Sequence, residues 1–198
     1  IRDRDYDEVI SLMNECLSYP ENLGEGKLYG AQENDFLYMI AIAYLKKGDS
    51  ENAAKYFRMA TDGPIDPAPA LYYNDAKPHK IYYAGLAFRA LGMEEKARGY
   101  FNKLADYGRQ HYHDAVTMDY FAVSLPDLLI WDDSLDTRNR VHCLFMLALG
   151  HAGLGDMEKS KRYLDEAASL DPNHYDIKEF NRLRMLNMEV SKQNKKAL

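Results

Sequence analysis

From Val141 to Asn173 the apolar positions repeat with a helical period. Val141, Leu144, Phe145, Ala148, His151 and Ala152 recur at three- and four-residue steps, which places them on one face of a 3.6-residue helix. Gly155 breaks the pattern. Asp156 then stands where an N-cap belongs, Glu158 falls in the first turn beyond it, and Leu164, Ala167 and Ala168 form the inner stripe of a second helix. Asp171-Pro172 ends that helix, because the residue before a proline is pushed out of the α region. Neither helix can bury its stripe alone, so the pair requires neighbours and the pattern should recur.

Two looser copies are present. Gly48 is preceded by FLYMIAIAYLKKG and followed by DSENAAKYFRMA, with Ala53, Phe57 and Ala60 as inner residues. Gly92 separates IYYAGLAFRALG from MEEKARGYFNKLA, with Gly85 at a close helix crossing and Ala97 and Phe101 on the second helix. These hairpins resemble the tetratricopeptide repeat, in which a small residue on the first helix admits a small-large-small trio from the second. The resemblance implies an all-α, right-handed α-α superhelix. The glycine spacings, 92 − 48 = 44 and 155 − 92 = 63, exceed the roughly 34 residues of tandem units, so two insertions are expected. The expected units are 34–61, 78–106 and 138–173, within one domain over 1–198, with insertions at 62–77 and 107–137 and a capping helix over 176–194.

Before the first unit, Val9, Ile10, Met13, Cys16 and Leu17 form one helical stripe, like the second helix of a repeat whose first is absent. Its open apolar face predicts self-association or a covering upstream domain. The first insertion holds Pro64, Pro67 and Pro69, with Pro78 at its edge, and cannot be helical throughout. Its Tyr72 and Tyr73 either line a binding surface or pin the loop to the body, and pinning is the preferred reading. The second insertion contains FAVSLPDLLIW, too apolar for a free loop, and is expected to fold against the repeats with Pro126 interrupting any helix.

Composition narrows the function. A net charge of −6 with scattered basic residues lacks the electrostatic footprint of a nucleic-acid binder. No apolar run approaches the roughly 18 residues that span a bilayer, no signal peptide opens the chain, and a cytoplasmic location is the expectation. Cys16 and Cys143 sit on apolar stripes and are both expected to be buried. The chain opens on Ile1 instead of methionine, so it is expected to be a piece of something longer.

A narrower resemblance lies in YFAVSLPDLLIWDDSLDTRNRVHCLFMLALGHAGLGD, YPENLGEGK and YYAGLAFRALGMEEKA. These stretches are similar to the helical C-terminal half of large, mostly bacterial proteins whose N-terminal half is a β-rich, galactose-mutarotase-like domain. That resemblance implies an alternative role as the helical accessory domain of a larger carbohydrate-active enzyme, with any catalytic residues outside this chain.

Candidate chemistry within the chain is sparse. His111 and His113, followed by Asp114, could share a metal only in an extended segment, because i and i+2 point about 200° apart on a helix. His142 beside Cys143 has the same difficulty as a thiol-imidazole pair, and His142 and His151 lie on opposite helix faces. Asp132, Asp133 and Asp136 are read as capping a helix that begins near Ser134 and not as a glycosidase carboxylate pair. No catalytic residue, metal or cofactor is assigned. The expected function is a non-catalytic protein-protein interaction or scaffold module, with Tyr38, Ile42, Tyr82, Leu86, Arg89, Phe145 and Leu149 as groove residues and Tyr72, Tyr73, His111, His113 and Trp131 as insertion candidates. The groove is apolar and aromatic. Either a partner's hydrophobic segment fills it or the insertions do, and filling by the insertions is preferred.

Trp131 is expected to be shielded within the second insertion, with its N–H bonded to a carbonyl or carboxylate. Trp131→Ala should then cost about 3 to 5 kcal/mol, and tryptophan emission should be blue-shifted and resistant to quenchers. A water-like, readily quenched spectrum would place the indole on a recognition surface instead.

Overall fold

The computed structural model of the chain describes residues 5–20, 22, 24, 26–27, 31–63, 65–69, 75, 77–117 and 134–182. Among them every regular element is a helix: α1 (Tyr6–Cys16), α2 (Asn34–Lys46), α3 (Ser50–Met59), α4 (Pro78–Ala90), α5 (Glu94–His111), α6 (Leu135–Gly153), α7 (Met157–Leu170) and α8 (175–182). The expected all-α superhelix of paired helices is observed, with α2–α3, α4–α5 and α6–α7 as the hairpins.

One turn is used three times. Gly48, Gly92 and Gly155 have φ of +83°, +76° and +88°, values that a side chain disfavours. The residue after each glycine donates its N–H five residues back, Asp49 to Tyr44 O at 3.0 Å, Met93 to Phe88 O at 2.9 Å and Asp156 to His151 O at 2.9 Å. These bonds satisfy carbonyls that the ending helix leaves unpaired. Asp49 and Asp156 then cap the following helices, accepting from Asn52 N at 3.0 Å and Lys159 N at 3.1 Å. Ser134 caps α6 by accepting from Thr137 N.

The hairpins stack so that α2, α4 and α6 lie side by side, while α3 packs on α4 and α5 on α6. Ala41, Ala53, Phe57 and Ala60 are buried in the first hairpin, and Ala97, Phe101 and Leu104 in the second. In the third, Leu164 and Ala167 hold the matching places, and buried Ser160 takes the small position. The α5–α6 seam is the tightest. A Cβ on Gly108 would lie 2.5 Å from Cys143 O, and one on Gly150 would lie 2.7 Å from Phe101 O. Every residue from Val141 to Gly150 is buried, so this stretch of α6 is covered on all sides and acts as the central post.

Several expectations need correcting. The helix placed in the second unit continues to His111, five residues into the stretch expected to be insertion, because Gly108 lets α5 keep following α6. Asn139 Nδ2 closes its end by donating to His111 O at 2.7 Å. Cys143 is buried as expected, but Cys16 is exposed, since α1 packs on α2 without burying any of its own residues. Val9, Ile10 and Met13 are half-covered and Leu12 is 48% exposed. The first insertion is pinned by residues that the sequence did not single out: Ala68 O accepts from His142 Nε2 at 2.7 Å, and Asp66 pairs with Lys103 at 2.6 Å. Tyr72, Tyr73 and Trp131 lie outside the described residues.

Two glycine substitutions should have opposite signs. Gly150→Ala drives a methyl into backbone atoms of α5, which cannot rotate away, and should cost about 2 kcal/mol, or on the order of 5 °C in Tm. Gly99→Ala lies on the exposed side of α5 with nothing within 4 Å and should stabilise by about 0.5 to 1 kcal/mol. Thermal melts of the two variants check both.

Candidate functional site

Aromatic side chains at helical spacing on α2 and α4 meet because those helices are neighbours. Tyr38 stands 5.6 Å from Phe57 and 5.4 Å from Tyr83, and Tyr83 stands 5.7 Å from Tyr82, all as ring-centroid distances. Tyr82 continues the series to Phe101 at 5.7 Å and to Phe180 of α8 at 5.5 Å. Phe180 then reaches Phe145 of α6 at 6.2 Å, and Phe145 reaches His174 at 5.9 Å. These separations and tilted planes are the favourable ones for aromatic pairs. A continuous row of rings therefore runs from α2 across α4 and α8 to α6.

Burial keeps the tyrosine hydroxyls of this row neutral. It pushes Tyr82 up to about 12 and raises Tyr38 and Tyr83 as well, while the Arg89 charge opposes the shift at Tyr38 and Tyr82. Arg89 is held in place by a two-pronged ion pair to Glu94, with both N–O distances 2.8 Å, and its guanidinium lies 4.9 Å from the Phe101 ring centre. It supplies a fixed cation beside the row.

The other border of the face is polar. Lys80 pairs with Asp35, and His79 lies between two carboxylates, its Nε2 3.8 Å from Asp35 Oδ2 and its Nδ1 3.6 Å from Asp176 Oδ2. Burial pushes the Asp176 carboxyl up, but the neighbouring His79, His174 and Lys77 outweigh it and hold the group below the usual carboxylate range. Beside the start of α8 a cleft of about 610 Å³ opens between the first turns of α4 and α6, with Arg138, His142, His174 and Asp171 in its wall.

The expected groove residues divide. Tyr38, Ile42, Tyr82, Leu86 and Arg89 are half-buried on the common face. Phe145 and Leu149 are 1% and 0% exposed, core residues and not groove lining, because Ile177 and Phe180 of α8 cover that end. The filler is thus the C-terminal helix, together with Ala68 of the first insertion, among the described residues. His79, Tyr83, Asp35 and Phe180 escaped the sequence reading of the face. His79 and Asp35 each sit three residues before a tyrosine already chosen, Tyr82 and Tyr38, so the same helical step could have found them.

The remaining candidates do not converge. His111 bonds Asp114 Oδ2 at 2.6 Å and stacks on Tyr107, whereas His113 is exposed in the following turn. No group of three His, Cys, Asp or Glu side chains among the described residues is placed to hold a metal ion. His142 points to Ala68 O, and Cys143 Sγ points to Asn139 Oδ1 at 3.6 Å. Burial pushes the Cys143 thiol up to about 12, which leaves no thiolate at neutral pH. No described helix is long and apolar enough to cross a membrane.

Models of the Tetratricopeptide repeat family match residues 35–62, 81–107 and 141–174. Each match falls on one hairpin, α2–α3, α4–α5 and α6–α7 respectively, and residues 63–80 and 108–140 separate the matches.

His142 gives this region a pH dependence. Burial depresses its pKa to about 4, so the folded state holds the imidazole neutral while the unfolded chain binds a proton below about 6.5. Its contribution is present above pH 6.5 and is lost as pH falls toward 4. Between pH 7 and pH 5 the loss should be about 2 kcal/mol. Urea midpoints of wild type and His142→Gln at those two pH values check this: the variant should show a shallower decline, and an identical decline would rule His142 out as the source.

Proposed function

We propose that this array of tetratricopeptide-like hairpins is a non-catalytic protein-interaction module whose partner docks on the common face of α2 and α4. Tyr38, Ile42, Tyr82, Leu86 and Arg89 are the contact residues in this reading. The observation that carries it is the row of rings Tyr38, Tyr83 and Tyr82, bordered by the fixed Arg89 cation and by the Asp35–His79 pair. Aromatic rings that are held rigid cost little entropy on binding, and aromatic and arginine side chains dominate the energetics of protein interfaces. Tetratricopeptide repeats are in general binding folds and not catalytic ones, and the match to their models supports this choice over an enzyme. The exposed free thiol of Cys16 fits a reducing cytoplasm as the working compartment.

Affinity capture with the whole chain, with each captured protein then measured against purified bait, tests the reading. Ile42→Ser with Leu86→Ser should weaken the interaction at least tenfold, as expected for loss of apolar anchors, while the helical circular dichroism is retained. A glycan array run beside it addresses the other role, as an accessory domain for carbohydrate. Sugar binding, or partner binding indifferent to both substitutions, would overturn the proposal.

A further inference from the structure

We infer that α8 is a built-in occupant of the docking face, and that the partner it holds off is an amphipathic helix of the same chemistry: a carboxylate, an aliphatic residue next to it and an aromatic residue one turn on. The inference rests on the docking reading above and adds who competes for the face.

The placement of α8 argues for it. A helix that merely closed the end of the array would meet the last hairpin alone. Phe180 instead touches rings of two successive first helices, Tyr82 of α4 and Phe145 of α6. Ile177, 1% exposed, completes the core cluster that includes Ile81 of α4 and Phe145 and Leu149 of α6. Asp176 turns to His79, the residue that also faces Asp35 of α2. Three side chains of one helix thus use the aliphatic, aromatic and polar parts of the face at once. Their order, Asp176-Ile177-x-x-Phe180, is a template for what the face accepts.

The seat is also marginal. Phe180 remains half-buried, and Tyr175 at 75% exposure adds no anchor. A partner helix with the same three groups would gain further contacts on the α2 side, where Tyr38 and Ile42 are half-buried.

The test uses the full chain and a fluorescein-labelled peptide of residues 172–186. The peptide should bind the Phe180→Ala chain at least tenfold more tightly than the wild-type chain, whose own α8 competes. A peptide carrying Phe180→Ala should bind neither, and one carrying Asp176→Asn should bind several-fold more weakly than the parent. Equal binding to both chains, or no binding to a Phe180→Ala chain that keeps its helical signal, overturns the inference. Hydrogen exchange on the unaltered chain gives a second reading that needs no variant. Amides of 177–182 should exchange well ahead of those in the middle of α6, and exchange of both at one rate overturns it. Partner capture that persists while the peptide fails would remove the α8 inference alone. Peptide binding without any captured partner would remove the docking reading instead.

Discussion

Phe101 occupies a space that exists only because its neighbours lack side chains. A Cβ on Gly85 would come within 2.6 Å of its ring, and one on Gly153 within 2.1 Å, while Gly150 presses against its carbonyl oxygen at 2.7 Å from the would-be Cβ. The ring is wholly buried, drawn from α5 into the gap between α4 and α6. Burial of so large an apolar group is worth about 1.5 to 3 kcal/mol, but its greater effect is geometric. It fixes how closely the second and third hairpins approach, and interiors packed at crystal density transmit that spacing outward. Tyr82 at 5.7 Å and Arg89 at 4.9 Å rest directly on this ring, so the middle of the docking face is positioned from the core.

The helices were legible because their ends carry explicit signals. Gly48, Gly92 and Gly155 mark the three turns, Asp49 and Asp156 the caps, and the three-and-four stripe marks the buried sides. The fold class followed from the recurrence of those signals. What the sequence concealed were contacts between segments far apart in the chain. Nothing near Ala68 announces that its carbonyl will accept a hydrogen bond from His142, since the two are separated by 74 positions. The length of α5 was missed for a related reason: Gly108 reads as a helix breaker in isolation and becomes a helix-packing residue only against Cys143.

The face itself was half legible. Tyr38, Ile42, Tyr82 and Leu86 lie three residues before and one residue after the small residues Ala41 and Gly85, and they stay half-buried because among the described residues no later hairpin covers α2 and α4 there. The same offset on α6 selects Phe145 and Leu149, yet these are core, because periodicity reports a side of a helix and not what lies against it. Cys16 fails in the opposite direction. Its stripe on α1 is as regular as any, but among the described elements α1 packs mainly on α2, and one neighbour cannot cover a whole stripe.

An occupied face changes what affinity means. A partner binds only the fraction of molecules whose α8 is lifted, so the apparent dissociation constant is the intrinsic one divided by that fraction. Contacts that fasten α8 more firmly, such as the Asp176–His79 pair, therefore weaken partner binding without touching the partner. Acid acts at two places. Loss of the Asp176 charge frees α8, while protonation of the unfolded chain at His142 erodes the scaffold beneath it. The two effects separate because Asp176 titrates below the usual carboxylate range and His142 draws its penalty from about pH 6.5 downward, so mild acid weakens the fold before it loosens the helix on its face.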